Sequence, residues 1–367
     1  IFVIISDAMR YEVAQELTTR IKEEKRFKAE LSSQLGVLPS YTQLGMAALL
    51  PHSKLSYQPE KGTGIYVDDA SSQGLDNRNT ILKKVNGLAV SAKELLAWSN
   101  EEGRDKVRGA EIVYIYHDAI DAIGDKLATE DRTFEACRTA INELTDLVSR
   151  VINRLNASRV VLTADHGFLF QQKTLEQPNK TAIKNKPKGA IEAKKRYIIG
   201  NNLPSNDNYW KGSVSNTSNG SSDTEFLLPK GAQRFHFVGG AKFVHGGAML
   251  QEICVPIIGI TTLRGEKAVQ NEKKTVGVVV ASQPVKIVNN IDKIRFIQTD
   301  PVNDSFIVRQ IDIYIVDADD NVVSSRETVS FDSGSAVMDE RIRDVRLKLI
   351  GADFDRKLSY TLVLENV

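Results

Sequence analysis

Thr163-Ala164-Asp165-His166-Gly167 places a carboxylate beside an imidazole, directly after an apolar run and before a glycine that permits a sharp turn. A divalent cation could take both side chains, since carboxylate oxygen and imidazole nitrogen suit zinc or manganese. Alone, such a pair reads more readily as two hydrogen-bonded loop residues. Asp7 follows the run Ile1 to Ser6 and adds a second carboxylate in an equivalent position, with a helix N-cap as its ordinary alternative. The segment Tyr116 to Asp125 holds four candidate ligands, His117, Asp118, Asp121 and Asp125. Asp121 and Asp125 are four apart, so on a helical turn they face the same way and could share a second metal. His245, followed by two glycines that let backbone come close, is the candidate to complete that second site. Read alone, His245 is more readily a satisfied structural histidine.

Thr42 follows Leu-Pro-Ser-Tyr and precedes Gln-Leu-Gly-Met-Ala-Ala-Leu-Leu-Pro, which puts its hydroxyl at the start of a short helix. A hydroxyl there commonly caps the helix, and the free N–H groups favour anions. With two metals nearby it becomes a nucleophile. Arg10, three residues past Asp7, could clamp a phosphate with its planar fork or form a salt bridge at the helix start. His117 and Asp118 could replace Asp125 as a ligand or touch substrate. Residues 171 to 196 carry Lys173, Lys180, Lys184, Lys186, Lys188, Lys194, Lys195 and Arg196 against Glu176 and Glu192. Such a run is ordinarily a solvated face. Placed directly after the Asp–His pair it could steer a polyanion, with Lys184 and Lys186 as substrate contacts, which favours a nucleic-acid phosphodiester over a small phosphomonoester.

Positioning these residues requires a β/α frame. Residues 1–6 form a β-branched and aromatic run suited to a strand buried on both faces, and Val13, Leu17 and Ile21 recur every four positions as on an amphipathic helix over Arg10 to Glu24. The unit repeats with a strand at 111–116, a helix carrying Phe134, Cys137, Ile141, Leu144, Val148, Val151 and Leu155, and a strand at Arg159 to Thr163. Strands separated by such helices imply a parallel sheet, whose ligands bind beyond the carboxyl ends of the strands. Asp7, the 117–125 segment and Asp165 all fall there. Between about 171 and 225 the pattern breaks into Lys-rich and then Asn/Ser/Gly-rich sequence, expected as an inserted basic or flexible loop or cap. A further strand is expected at Val255 to Ile260. After a polar linker, runs at Val276 to Val280, Ile294 to Ile297, Ile311 to Val316, Val345 to Ile350 and Tyr360 to Leu364 predict an antiparallel β-sandwich without a titratable cluster.

The 367 residues suffice for two domains, and 41 % apolar with 26 % charged residues exclude wholesale disorder and fibrous repeats. A net charge of +1 gives no global field toward nucleic acid or membrane, so such binding needs a local patch. Cys137 and Cys254, far apart, are expected as reduced thiols in a cytoplasmic protein. Neither a membrane span nor a signal peptide is predicted. Ile1 stands inside an apolar run, the expectation for a piece of a longer chain.

The ordered set of strand-end Asp, helix-starting Thr, Asp-x-x-x-Asp, Asp-His-Gly and late His-Gly-Gly resembles the alkaline phosphatase superfamily. Within it, Ile-Ser-Asp-Ala-Met-Arg-Tyr-Glu, Pro-Ser-Tyr-Thr-Gln-Leu-Gly-Met-Ala-Ala-Leu-Leu-Pro, Tyr-His-Asp-Ala-Ile-Asp-Ala-Ile-Gly-Asp and Thr-Ala-Asp-His-Gly are similar to the PglZ family, over residues 1–265. The resemblance implies an α/β fold: an alkaline-phosphatase-like parallel-sheet core with helices on both faces at 1–265, followed by the sandwich at 266–367. It implies one metal held by Asp7, Thr42, Asp165 and His166, another by Asp121, Asp125 and His245, and Thr42 as nucleophile. Two divalent ions are implied, zinc first, with manganese or magnesium as alternatives. The wider superfamily has Asp-x-x-Gly-His where this chain has Asp125 as the last residue, and that harder oxygen ligand favours manganese or magnesium. Sulfatases of the superfamily need Cys or Ser at the nucleophile, so Thr42 argues against that branch. The implied role is a phosphodiesterase or nuclease in BREX-type phage defence, alongside other BREX proteins. The alternatives are a weak or inactive scaffold in such a complex, and a phosphomonoesterase on a small metabolite.

Overall fold

Apolar character on both sides of a strand demands cover on both faces, and Phe2–Ser6 (β1) has it at the centre of a six-stranded sheet. The computed structural model describes residues 1–24, 26–58, 64–173, 180–181, 183, 185–218, 224–235, 241–263, 274–282, 284–303, 305–351, 354–355 and 358–367. Besides β1 the sheet contains Phe27–Leu35 (β2), Gly87–Ser91 (β3), Ile112–His117 (β4), Arg159–Thr163 (β5) and Cys254–Thr262 (β6), in the order β2-β6-β5-β1-β4-β3. Strands β3, β4, β1 and β5 are mutually parallel. Strand β6 runs antiparallel to both β5 and β2, so the parallel core carries one reversed strand. Because β4 and β5 flank β1 on opposite sides, the connection between them passes over it, and three strand ends open side by side.

Side-chain alternation divides the cover. On one face Ile4, Val113, Ile115, Val160 and Leu162 pack with Tyr11–Lys22 (α1) through Val13, Leu17 and Ile21. The long helix Thr133–Leu155, here α5, joins them through Cys137, Ile141, Leu144, Val148 and Val151, as the four-residue spacing predicts. It stops at Asn156, whose φ of 58° is the left-handed cap that asparagine tolerates. On the other face Ile5, Ala89 and Tyr114 meet Leu44, Met46 and Ala47 of Thr42–Ala48 (α2) and Ile81 and Leu82 of Leu75–Lys83 (α3). A short helix, Ala119–Gly124 (α4), follows β4. Strand β4 starts and ends one residue later than the sequence indicates, a slip with consequences at the site.

The segment expected to break the pattern builds its own antiparallel sheet from Ala190–Ala193, Ile198–Gly200, Glu225–Pro229 and Tyr209–Ser213, in that order. It encloses a small core of Ile198, Leu203, Tyr209, Leu227 and Phe235. Strands this short escape a periodicity argument. The chain folds as two compact units, Ile1–Leu263 and Arg264–Val367. In the second unit, two three-stranded antiparallel sheets share the core of Val276, Ile294, Phe296, Ile311, Ile313, Ile315, Phe331, Val345 and Leu347.

Candidate metal centre

Strand β1 leaves the sheet through a tight turn: Ala8 adopts φ 60° and Met9 N donates to Ser6 O at 3.3 Å. A non-glycine residue held there stores about 1 kcal/mol or more, as functional turns do. The turn is fixed by its neighbours, because Asp7 N donates to His117 O at 2.7 Å and Ala8 N to Asp165 Oδ1 at 3.2 Å. Ile5 lies opposite Thr163 in the sheet, so Asp7 and Asp165, each two residues further on, emerge on the same face. That is the face covered by α2.

Helix α2 approaches the Asp165 segment because residue 45 is glycine: a Cβ there would meet Asp165 O at 2.6 Å and Asp165 Cβ at 2.9 Å. The close approach sets Thr42, first residue of α2, with its Oγ1 3.0 Å from His166 Nε2. His166 Nδ1 lies 2.9 Å from Gly167 O, and a carbonyl can only accept, so Nδ1 carries the proton. Nε2 is therefore a free lone pair, and the Thr42 hydroxyl donates to it. The same Nε2 is 3.4 Å from Asp165 Oδ2 and 3.7 Å from Asp7 Oδ1. Burial, together with the neighbouring His245, holds the His166 imidazole well below the usual histidine range, so it is neutral at pH 7.

Ligand atoms of Asp7, Asp165 and His166 lie within 4.8 Å of one another. Asp7 Oδ1 and Asp165 Oδ2 are buried without a hydrogen-bond partner. Burial first, then Asp165, Asp121 and Asp118, push the Asp7 carboxyl well up, with Arg78 pulling it down. Burial likewise raises Asp165 to about 7. Buried, unpaired and mutually repelling carboxylates beside an unprotonated imidazole nitrogen fit a divalent cation, which supplies the missing positive charge.

Next to this trio the His245 ring stacks on His166 with centroids 4.2 Å apart and planes at 6°. His245 Nε2 is 4.0 Å from Asp121 Oδ1, and both that oxygen and His245 Nδ1 are buried without partners. Burial raises Asp121, offset by His245. Asp125 does not join a ligand-distance group among the described residues: it is exposed at the end of α4, where its N–H donates to Asp121 O at 2.9 Å. Asp118 is exposed too, yet its charge raises both Asp7 and Asp121.

Other expected contacts fall elsewhere. The one-residue slip brings His117 into β4, where its side chain points away from the Tyr116 face. Its Nδ1 is 3.1 Å from Ser6 Oγ and its Nε2 2.9 Å from Glu143 Oε2 on α5, so neither ring nitrogen is free for substrate. Arg10 pairs with Glu12 and lies 5.1 Å over the Phe168 ring, taking the helix-start salt bridge rather than a phosphate clamp. Lys186 Nζ donates to Ile191 O at 2.7 Å within the inserted segment, and Lys184 lies outside the described residues.

Arg196, a member of the basic run, is wholly buried. Its Nε and Nη2 donate to the two oxygens of buried Glu252 at 3.0 and 2.6 Å. The same carboxylate accepts from Gly247 N at 2.9 Å and Met249 N at 3.1 Å, and Glu252 O accepts from Gly167 N at 2.9 Å. One buried residue thus ties the loop after His245 to the loop after His166. Sequence signals for it are poor, since its partner is 56 residues away. Arg78, on α3, is the other residue that no local pattern marks.

Among the described residues no helix is long and apolar enough to cross a membrane. Structural likenesses are distant. The chain resembles murine ectonucleotide pyrophosphatase / phosphodiesterase 5 with a TM-score of 0.44 and 10 % identity, covering 71 % of this chain and 87 % of that one. It resembles phosphonoacetate hydrolase from Sinorhizobium meliloti 1021 with a TM-score of 0.43 and 11 % identity, covering 70 % and 89 %. Sequence relatives are nearer. Alkaline phosphatase-like protein BrxZ of Escherichia coli O9:H4 (strain HS) is 56 % identical over the whole chain, which spans 42 % of BrxZ. Alkaline phosphatase-like protein PglZ of Bacillus cereus (strain H3081.97) is 36 % identical, and the chain spans 43 % of it. The family profile described as BREX system PglZ alkaline phosphatase-like domain matches residues 1–260. With its strand-end carboxylates, Thr42 and His166 gathered on an α/β sheet, the chain belongs to the PglZ family of BREX alkaline-phosphatase-like proteins.

Proposed function

We propose that the chain is a metal-dependent phosphodiesterase that acts on nucleic acid in phage defence, with Thr42 as the nucleophile. The observation that carries the reading is the Thr42 hydroxyl, 3.0 Å from an unprotonated His166 nitrogen and beside a buried carboxylate pair, each with an oxygen that has no hydrogen-bond partner. Divalent ions, held by Asp7, Asp165 and His166 and by Asp121 and His245 with Asp125 next along α4, would acidify a hydroxyl and neutralise a phosphoryl group. Thr42 Oγ1 attacks phosphorus, the bond to the leaving alkoxide breaks, and water then cleaves the Oγ1–P bond, freeing the phosphomonoester and restoring the Thr42 hydroxyl. With His166 Nε2 given to an ion, the Thr42 proton would pass to solvent, and α2, seated through Gly45, keeps Oγ1 in place.

A polyanionic substrate is supported by Lys173 and Lys188, exposed on the inserted segment. That segment reaches the site through Tyr197, whose ring stacks on Tyr41 at 4.8 Å, one residue before Thr42. Purified protein with zinc, manganese or magnesium is expected to cleave an oligonucleotide or bis(nitrophenyl) phosphate, and Thr42→Ala to lose at least about a hundredfold in rate. Equal rates in parent and Thr42→Ala overturn the nucleophile. Full phage protection by Thr42→Ala in cells, in concert with other BREX proteins, would instead favour a scaffold, and a failure of single-stranded nucleic acid to compete would favour a small phosphomonoester.

A further inference from the structure

Tyr116 and Arg78 are two polar groups of the site face that the catalytic reading leaves without a task. In β4, Tyr116 lies opposite Ile5, so its ring emerges on the face from which Asp7 emerges two residues further along β1. Its hydroxyl is buried and has no hydrogen-bond partner. Burial raises this phenol against the downward pull of Arg78, so it stays protonated, a donor without an acceptor. Arg78 reaches the same place from α3, with its guanidinium carbon 4.8 Å from the Tyr116 ring centroid. Its Nε is anchored by Ser72 O at 3.0 Å, and Ser72 is itself fixed to Ile65 O at 2.8 Å. Arg78 forms no ion pair with a described carboxylate, although its charge acts on Asp7.

A guanidinium held rigidly by one N–H keeps its other donors for a ligand, and stacking on an aromatic ring fixes its plane. A neighbouring buried O–H that lacks an acceptor needs the same kind of ligand. Two convergent donors beside a carboxylate cluster suit an anionic oxygen that approaches the cluster.

We propose that Arg78 and Tyr116 form the subsite that grips a non-bridging oxygen of the substrate phosphoryl group. This rests on the phosphoester reading of the same site. Arg78 supplies charge-assisted hydrogen bonds and Tyr116 a neutral one, and together they select tetrahedral oxyanions over uncharged ligands.

Inorganic phosphate is the probe. It is titrated calorimetrically into the metal-loaded protein for the parent, Arg78→Met, Arg78→Lys and Tyr116→Phe, with bound metal and the phosphate-free melting temperature measured alongside. Tyr116→Phe keeps the ring on which Arg78 stacks and removes only the hydroxyl. Arg78→Met is expected to weaken phosphate about tenfold or more. Arg78→Lys should recover part of that loss, and Tyr116→Phe should weaken phosphate about threefold or more, with metal content unchanged. Phosphate that binds Arg78→Met as tightly as the parent, or does not bind the parent, overturns the subsite. Phosphate binding that depends on Arg78 in a parent unable to cleave bis(nitrophenyl) phosphate would keep the subsite and sink the phosphodiesterase.

Discussion

Removing the Glu252 carboxylate tests whether one buried ion pair holds both histidine-bearing loops. Arg196 and Glu252 are each 0 % exposed, and both Glu252 carboxylate oxygens are engaged, by the guanidinium and by the N–H groups of Gly247 and Met249. Glu252→Ala would strand a guanidinium in the interior with only the carbonyls of Gly231 and Gln233 as acceptors. Breaking one side of a buried pair costs about 3–5 kcal/mol. For a domain of this size each kcal/mol moves the melting temperature by about 2–4 °C, so the drop should be about 6–20 °C. The control is Arg196→Met/Glu252→Leu, which removes the stranded charge and leaves the neutral amides of Gly247 and Met249 without acceptors and the carbonyls of Gly231 and Gln233 without that donor. It should melt above Glu252→Ala. The assay is a calorimetric melt of the metal-free protein, paired with elemental analysis of the loaded one, because Gly247 lies two residues beyond His245 and its displacement should lower bound metal. A drop under about 2 °C for Glu252→Ala would refute the reasoning. So would a double variant no more stable than the single, since the penalty would then not come from an unpaired charge.

Two further outcomes follow from the repelling carboxylates. Asp165→Asn should raise the melting temperature of the metal-free protein at pH 8, because it deletes one buried charge while its amide oxygen still accepts from Ala8 N; it should also abolish the rise that metal produces in the parent. An unchanged metal-induced rise would remove Asp165 from the ligands. The folded-state carboxyls of Asp7, Asp121 and Asp165 are raised, so the folded state binds protons more tightly than the unfolded one, and their contribution to stability is lost as pH climbs from about 4 through the folded values, about 7 for Asp165. In melts with chelator between pH 5 and 8, the gap by which Asp165→Asn exceeds the parent should therefore widen with pH, and stabilisation by added metal should grow over the same window; a constant gap would contradict the raised carboxyls.

Strands β1, β4 and β5 and the end of the sheet at which Asp7, the 117–125 segment and Asp165 gather were legible from apolar runs and the four-residue spacing of α1 and α5, whereas strands β2 and β3, the reversal of β6 and the strand order were not. Asp7, Asp165 and His166 were legible for the same reason, since a residue just past a buried strand has one place to go. His117 was expected in the turn, but the strand runs one residue further, so its ring alternates away from Tyr116 and meets Glu143 instead of standing free for substrate. Arg196 was hidden by its company, because a lysine-rich run looks solvated until a carboxylate 56 residues away claims one member. Arg78 had no local signal: its place depends on α3 crossing the sheet beside Tyr116.

What the structure adds to the sequence is the state of charge. Asp7, Asp118, Asp121 and Asp165 act on one another, and Arg78 is the cation that pulls Asp7 down among the described residues. His166 cannot supply the balance, because burial keeps it neutral and Nδ1 is committed to Gly167 O. Folding therefore gathers like charges at a cost that a hydrophobic substitution would relieve, while Ala8 adds backbone strain at the same spot. A chain selected only for stability would not keep this arrangement. A bound cation would recover that cost, and that coupling would make metal affinity and folding stability two measurements of one quantity.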